Sequence, residues 1–201
     1  MKSDSTDYLA HFTKSKATTS KSTEYEKMSA LERLISILSE RKIGATRMPW
    51  TDTLAVCFTE SPWSSLLDHS KRYSPYGIGF SKKIVFNQGG NPVWYINSEL
   101  YRARDWSDYD TGKGFLTPFS PDYAEPDRKI GDKVVDYSHE REWRVLNDFI
   151  FDYEDISFVV LDSIIDCKSI PSGIVDSIGP EKFIFMDMYR RIETLWPTHR
   201  I

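Results

Sequence analysis

Three observations predict a single α+β domain with mixed and antiparallel sheets and short flanking helices. Short apolar runs with strand character recur along the chain without a regular strand–helix–strand rhythm. The helical patterns are short, the clearest being Leu31, Leu34, Ile35 and Leu38 behind the capping box Ser29-Ala30-Leu31-Glu32. At 201 residues, 40% of them hydrophobic, the chain can bury one sizeable core, so residues 1–201 read as one domain.

The elements follow in order. Asp7 to Thr13 alternates as a first strand, with Tyr8, Ala10 and Phe12 on one face and Leu9, His11 and Thr13 on the other. Residues 14–27 are rich in Lys, Ser and Thr and read as a mobile polar arm. The capped helix comes next, with Gly44 expected to mark its end. After a Met48-Pro49-Trp50 loop, Leu54 to Glu60 is a short apolar strand that makes Cys57 a core residue. Ser61-Pro62 predicts a helix to about His69, with Pro in its first turn.

Tyr76 to Ser81 is a strand with two glycines, at which something can approach the backbone. Ile84 to Gln88 predicts a helical turn closed by Gly89-Gly90, and Asn91 to Ile96 another strand. Residues 98–133 mix aromatic and charged side chains with Gly and Pro, and read as a long ordered loop that covers something. Ile156 to Leu161 is an apolar strand, Ile170 to Ile178 a short helix, Lys182 to Phe185 a strand and Met188 to Trp196 a terminal helix.

Composition narrows the function classes. A net charge of −4 argues against a broad nucleic-acid surface, despite Lys14, Lys16, Lys21 and Lys27 near the start. Cys57 and Cys167 lie far apart with no CxxC spacing, the pattern of reduced thiols in a cytoplasmic protein. No apolar run is long enough to cross a bilayer, and no h-region opens the chain, so no membrane role is expected. The four histidines show no ligand spacing, so no metal is expected.

Three constellations remain. His11 and Thr13 share a strand face and can present two hydrogen-bonding groups to a ligand, or form a satisfied polar pair at a strand end. Tyr73 and Tyr76 precede Gly77-Ile78-Gly79, where tyrosine can stack on a flat ring; a turn into a crowded strand is the plainer alternative. The most telling stretch is Tyr137 to Leu146, a predicted strand with Glu140, Glu142 and Arg144 on one face and Arg141, Trp143 and Val145 on the other. Paired carboxylates there can orient a ribose hydroxyl and stabilise an oxocarbenium ion, or act as a base. They can equally form an ion-pair network with Arg144.

In order and phrasing, these motifs resemble the AbiGi-type abortive-infection family of bacterial phage-resistance proteins, classed as antitoxins. The resemblance rests on the His11-Phe12-Thr13 opening, the helix Leu31 to Leu38, Val56 to Pro62, Tyr73 to Ser81, Asn91 to Tyr95 and Glu140 to Arg144, and spans about residues 8–160. It implies phage defence of the toxin–antitoxin type, with a cognate toxin or antitoxin as partner. A second resemblance, to ADP-ribosyltransferases, implies that fold and a reaction using NAD as substrate to modify a protein or nucleic acid. It implies that His11 and Thr13 hold the NAD ribose and amide, that Tyr76 with Tyr73 stacks on nicotinamide, and that Arg144 also lies at the cofactor site. Glu142 would be the catalytic carboxylate and Glu140 would orient the acceptor. The alternative is a non-enzymatic antitoxin or regulatory module of a two-gene system.

Overall fold

The computed structural model describes residues 6–15, 27–60, 74–107, 112–119 and 140–195. The helix expected from Pro62 to His69, most of the polar arm, and Tyr73 lie outside these residues.

Strand β1 (Tyr8–Phe12) is followed by helix α1 (Ala30–Glu40). The capping box forms as its residue types dictate: the Ser29 hydroxyl accepts from the Glu32 N–H, and the Glu32 carboxylate accepts from the Ser29 N–H at 2.7 Å. The helix stops at Arg41, whose left-handed φ of 52° closes the last turn. Gly44 was expected in that place; it lies instead between the short strands β2 (Lys42–Ile43) and β3 (Thr46–Arg47). Strands β4 (Leu54–Thr59) and β5 (Gly77–Ser81) follow, then helix α2 (Lys82–Asn87).

The expected strand from Asn91 to Ile96 is two strands, β6 (Asn91–Pro92) and β7 (Trp94–Asn97), which join different sheets. The stretch expected as a loop holds helix α3 (Ser98–Arg102) and strand β8 (Leu116–Phe119), which pairs parallel with β7. Its Pro118 masked a strand that needs only one hydrogen-bonded edge. Strands β9 (Glu142–Leu146), β10 (Phe149–Ile150) and β11 (Ile156–Leu161), helix α4 (Ser172–Ile178), strand β12 (Phe183–Phe185) and helix α5 (Met186–Leu195) complete the described chain.

The fold is mixed α+β. The large sheet runs β12-β11-β5-β1-β4-β9-β6, with β3 beside β4. Its pairs are antiparallel except β11 with β12. One face carries Leu9, Val56, Phe58, Ile78, Phe80, Val145 and Val159 into a core with α1 and Phe149. There the Phe149 ring meets Phe80 at 4.9 Å and Phe58 at 5.1 Å, edge to face. Such pairs contribute about 0.5–1.5 kcal/mol each beyond the area they bury.

The two glycines of β5 admit the protein's own rings. A Cβ on Gly79 would lie 2.2 Å from the Phe158 ring, and one on Gly77 would lie 2.8 Å from the Phe12 ring. The backbone approach expected at this strand is made from within the fold.

Candidate functional site

The site begins where the large sheet opens. Strand β1 keeps five register pairs with β5 but one with β4, Ala10 opposite Thr59. Beside that pair His11 reaches β4 with its ring, and Nδ1 stands 2.8 Å from the Cys57 carbonyl oxygen. A carbonyl only accepts, so Nδ1 carries the proton and Nε2 keeps a lone pair. Burial holds the ring below its ordinary pKa, and the bond to Cys57 offsets this only in part. The imidazole is therefore neutral at pH 7.

On the other side of β4, register places Glu142 opposite Thr59 and Arg144 opposite Cys57. The face of β4 that looks away from the core thus carries Cys57 and Thr59 between His11 and the β9 charges. Cys57 was expected in the core. Strand alternation gives that role to Val56 and Phe58 and turns the thiol toward the pocket, with Sγ 3.7 Å from Met48 Sδ. Burial, then the charge of Glu142, pushes this thiol up in pKa.

Arg144 is 3% exposed and fully engaged. Nε donates to Glu142 Oε1 at 2.8 Å and Nη2 donates to Oε2 at 3.2 Å. Nη1 donates to the carbonyls of Gly114 and Leu116, and Nη2 also donates to Thr117 Oγ1 at 2.7 Å. All five guanidinium N–H groups have acceptors. Burial opposes the charge, but the hydrogen bonds and charge of Glu142 outweigh it and hold the pKa above its usual value. The same bonds tie the β7–β8 sheet to the large one.

Glu140 was expected on the strand with Glu142. The strand begins at Glu142, and Arg141 takes a left-handed φ of 45°, which breaks the alternation before it starts. Glu140 reaches the pocket through that turn, while Thr59 Oγ1 donates to its carbonyl at 2.7 Å. The Tyr95 hydroxyl accepts from the Glu142 N–H at 3.4 Å. Burial pushes this phenol up to about 12, with the charges of Glu142 and Glu140 acting the same way.

Together these groups line a pocket of about 340 Å³, closed on one side by Met48, Pro49 and Trp50. The Tyr101 hydroxyl holds that loop by donating to the Trp50 carbonyl at 2.7 Å. Of the residues singled out from sequence, His11, Glu140, Glu142 and Arg144 meet here. Thr13 and Tyr76 do not line the pocket. The buried Thr13 hydroxyl donates to the Ala30 carbonyl at 2.7 Å, tying β1 to α1. The Tyr76 hydroxyl lies 3.5 Å from Asp166 Oδ2, and burial with the charge of Asp166 raises its pKa.

Trp50, Cys57, Thr59 and Thr117 line the pocket without having been singled out as site residues. The alternation of β4 placed Cys57 and Thr59 together, but only the register with β9 places them beside Glu142. Among the described residues no group of His, Cys, Asp and Glu could hold a metal ion, and no helix is long and apolar enough to cross a membrane.

A family model described as "Putative abortive phage resistance protein AbiGi, antitoxin" matches residues 23–111. The match is narrower than the span over which the motifs resemble that family. It includes the Met48–Trp50 loop and β4, and it leaves out His11, Glu140, Glu142 and Arg144. No curated protein and no solved structure matches the chain.

Proposed function

We propose that this chain acts in abortive phage resistance by binding NAD in the pocket beside β4 and transferring its ADP-ribosyl group to a protein or nucleic acid. One observation carries the reading: His11 of β1 and the Glu140/Glu142 pair, distant in sequence, line the same pocket. Its volume of about 340 Å³ suits a ring with its sugar, near the lower end of the range for ligand pockets, rather than a whole dinucleotide.

In this mechanism Glu142 faces the ribose with oxygen lone pairs that Arg144 leaves unfilled. The bond from the ribose anomeric carbon to nicotinamide breaks, and nicotinamide leaves with the electron pair. Glu142 stabilises the positive charge that develops on the sugar, an electrostatic contribution that commonly dominates catalysis. The acceptor forms the new bond to the anomeric carbon and gives its proton to Glu140. Arg144 has no N–H left for the substrate; its part is to hold the Glu142 carboxylate by both oxygens.

The test is NAD turnover by purified wild-type protein and by Glu142→Gln. Loss of turnover in the variant is expected; turnover at the wild-type rate ends the catalytic role of Glu142. The variant also weakens a buried ion pair, so a stability loss of about 1–3 kcal/mol is expected whatever the activity. Turnover is therefore measured well below the variant's melting transition.

A second reading is favoured by the matched family's description as an antitoxin and by the closure of the Glu142–Arg144 pair on itself. Here the chain is a non-enzymatic module that binds a cognate toxin, and the ion pair is structural. This reading predicts that the wild-type protein consumes no NAD yet suppresses the toxicity of its partner on co-expression.

A further inference from the structure

We infer that the pocket selects ligand groups that donate hydrogen bonds and carry no negative charge, and that it keeps phosphate outside. The inference deepens the NAD proposal and rests on it for the identity of the ligand.

Arg144 is the one cationic side chain among the described residues that line the pocket. A guanidinium at a nucleotide site ordinarily suggests a phosphate clamp. Here each of its N–H groups already serves a protein acceptor: the Glu142 carboxylate, the carbonyls of Gly114 and Leu116, and Thr117 Oγ1. A phosphate could recruit it only by displacing one of them and leaving that acceptor buried and unpaired, a costly exchange.

The other polar groups are acceptors. Nδ1–H of His11 is taken by the Cys57 carbonyl, and Nε2 has no partner among the described residues. No buried side-chain nitrogen or oxygen among the described residues lacks a partner, so Nε2 keeps contact with the pocket space. It offers a lone pair and no proton. The Glu142 carboxylate retains acceptor lone pairs after the two Arg144 bonds.

A phosphate placed there meets the acceptor oxygens of Glu142 and an imidazole lone pair, and no Arg144 N–H is left to receive it. A vicinal diol, a carboxamide N–H₂ or a cationic ring meets complementary partners. For a dinucleotide, the sugar and ring of one end would enter while the diphosphate stays at the mouth.

The experiment is isothermal titration with two ligands that differ by one phosphate: nicotinamide riboside and nicotinamide mononucleotide. Adenosine and AMP serve as a second pair. Occupancy of the pocket is read in parallel from protection of Cys57 against N-ethylmaleimide in a Cys167→Ser background. The reagent is used in excess at alkaline pH, because the raised pKa of the Cys57 thiol makes labelling slow, and labelling of the unliganded protein is established first. The expected result is that each nucleoside binds at least as tightly as its phosphorylated partner and protects Cys57.

Tenfold tighter binding of the phosphorylated partners, with Cys57 protected, overturns the donor rule while leaving NAD as the ligand. Binding and protection by adenosine but not by nicotinamide riboside upholds the rule and removes ADP-ribosyl transfer, which needs the nicotinamide riboside end of NAD beside Glu142. Failure of all four ligands to protect Cys57 overturns both.

Discussion

The two faces of the large sheet obey opposite rules. One face meets α1 and Phe149 with Leu9, Val56, Phe58, Ile78, Phe80 and Val145, and its contacts are non-directional. The other carries Cys57, Thr59, Glu142 and Arg144, each of which has a defined polar neighbour or the pocket before it. The apolar face tolerates exchange as long as volume is kept. The polar face does not, because removing one partner leaves the other charged and out of water. The same strands therefore hold an insensitive surface and a sensitive one, a side chain apart.

Truncation of a ring at the centre of the core should produce the largest effect. Phe80→Ala removes a fully buried ring that packs against Phe58, Phe149 and Phe151, and should cost about 3–5 kcal/mol in urea unfolding. Phe80→Leu should recover most of that loss. If it does not, the core face is as specific as the polar one and the contrast fails.

Arg144→Met tests the polar face. It keeps an apolar stem but leaves Glu142 without its ion-pair partner and Thr117 and two carbonyls without a donor. A loss of about 3 kcal/mol is expected despite the similar volume. The double variant Glu142→Gln/Arg144→Met should be more stable than Arg144→Met, because it no longer buries a lone carboxylate. Additive losses instead would show that Arg144 acts mainly through the β7–β8 segment.

Outside both faces, Ser29→Ala should remove the hydroxyl that caps α1 and cost about 1 kcal/mol, read from the same unfolding curves. An unchanged midpoint would show that the helix is held by its packing alone.

The gentlest probe is pH. Burial holds the folded-state pKa of His11 below the ordinary imidazole value of about 6.5, so the folded protein binds fewer protons than the unfolded chain in that region. Its contribution to stability is fully present above about 6.5 and falls as the pH drops below that value. His11→Gln should flatten this limb of the stability curve. An equal acid slope in wild type and variant would assign the slope to other groups.

Local chemistry was the most legible part of the sequence. The Ser29–Glu32 capping box, the apolar stripe of α1 and the strands β1 and β4 depend on neighbours within a few residues, and they formed as expected, although the alternation of β4 turned Cys57 out of the core. Where the prediction failed, a distant element or a local dihedral had decided. Glu140 left the strand because Arg141 turns at φ 45°, and β8 appeared in a Pro-containing stretch because β7 offered it an edge. Gly77 and Gly79 signalled close approach correctly, but the approaching groups are Phe12 and Phe158.

The candidate site divides in the same way. Residue types and alternation alone determined that His11, Glu142 and Arg144 were unusual on their strands, and that Glu142 and Arg144 share a face. The tertiary structure decided which of them meet. The partial separation of β1 from β4 lets His11 reach the Cys57 carbonyl, and the β4–β9 register carries Glu142 beside Thr59. It also decided that Thr13 fastens α1 and that Arg144 is filled by Gly114, Leu116, Thr117 and Glu142. The physical reason is that alternation is a property of one strand, whereas strand register and hydrogen-bond saturation belong to the assembled sheet.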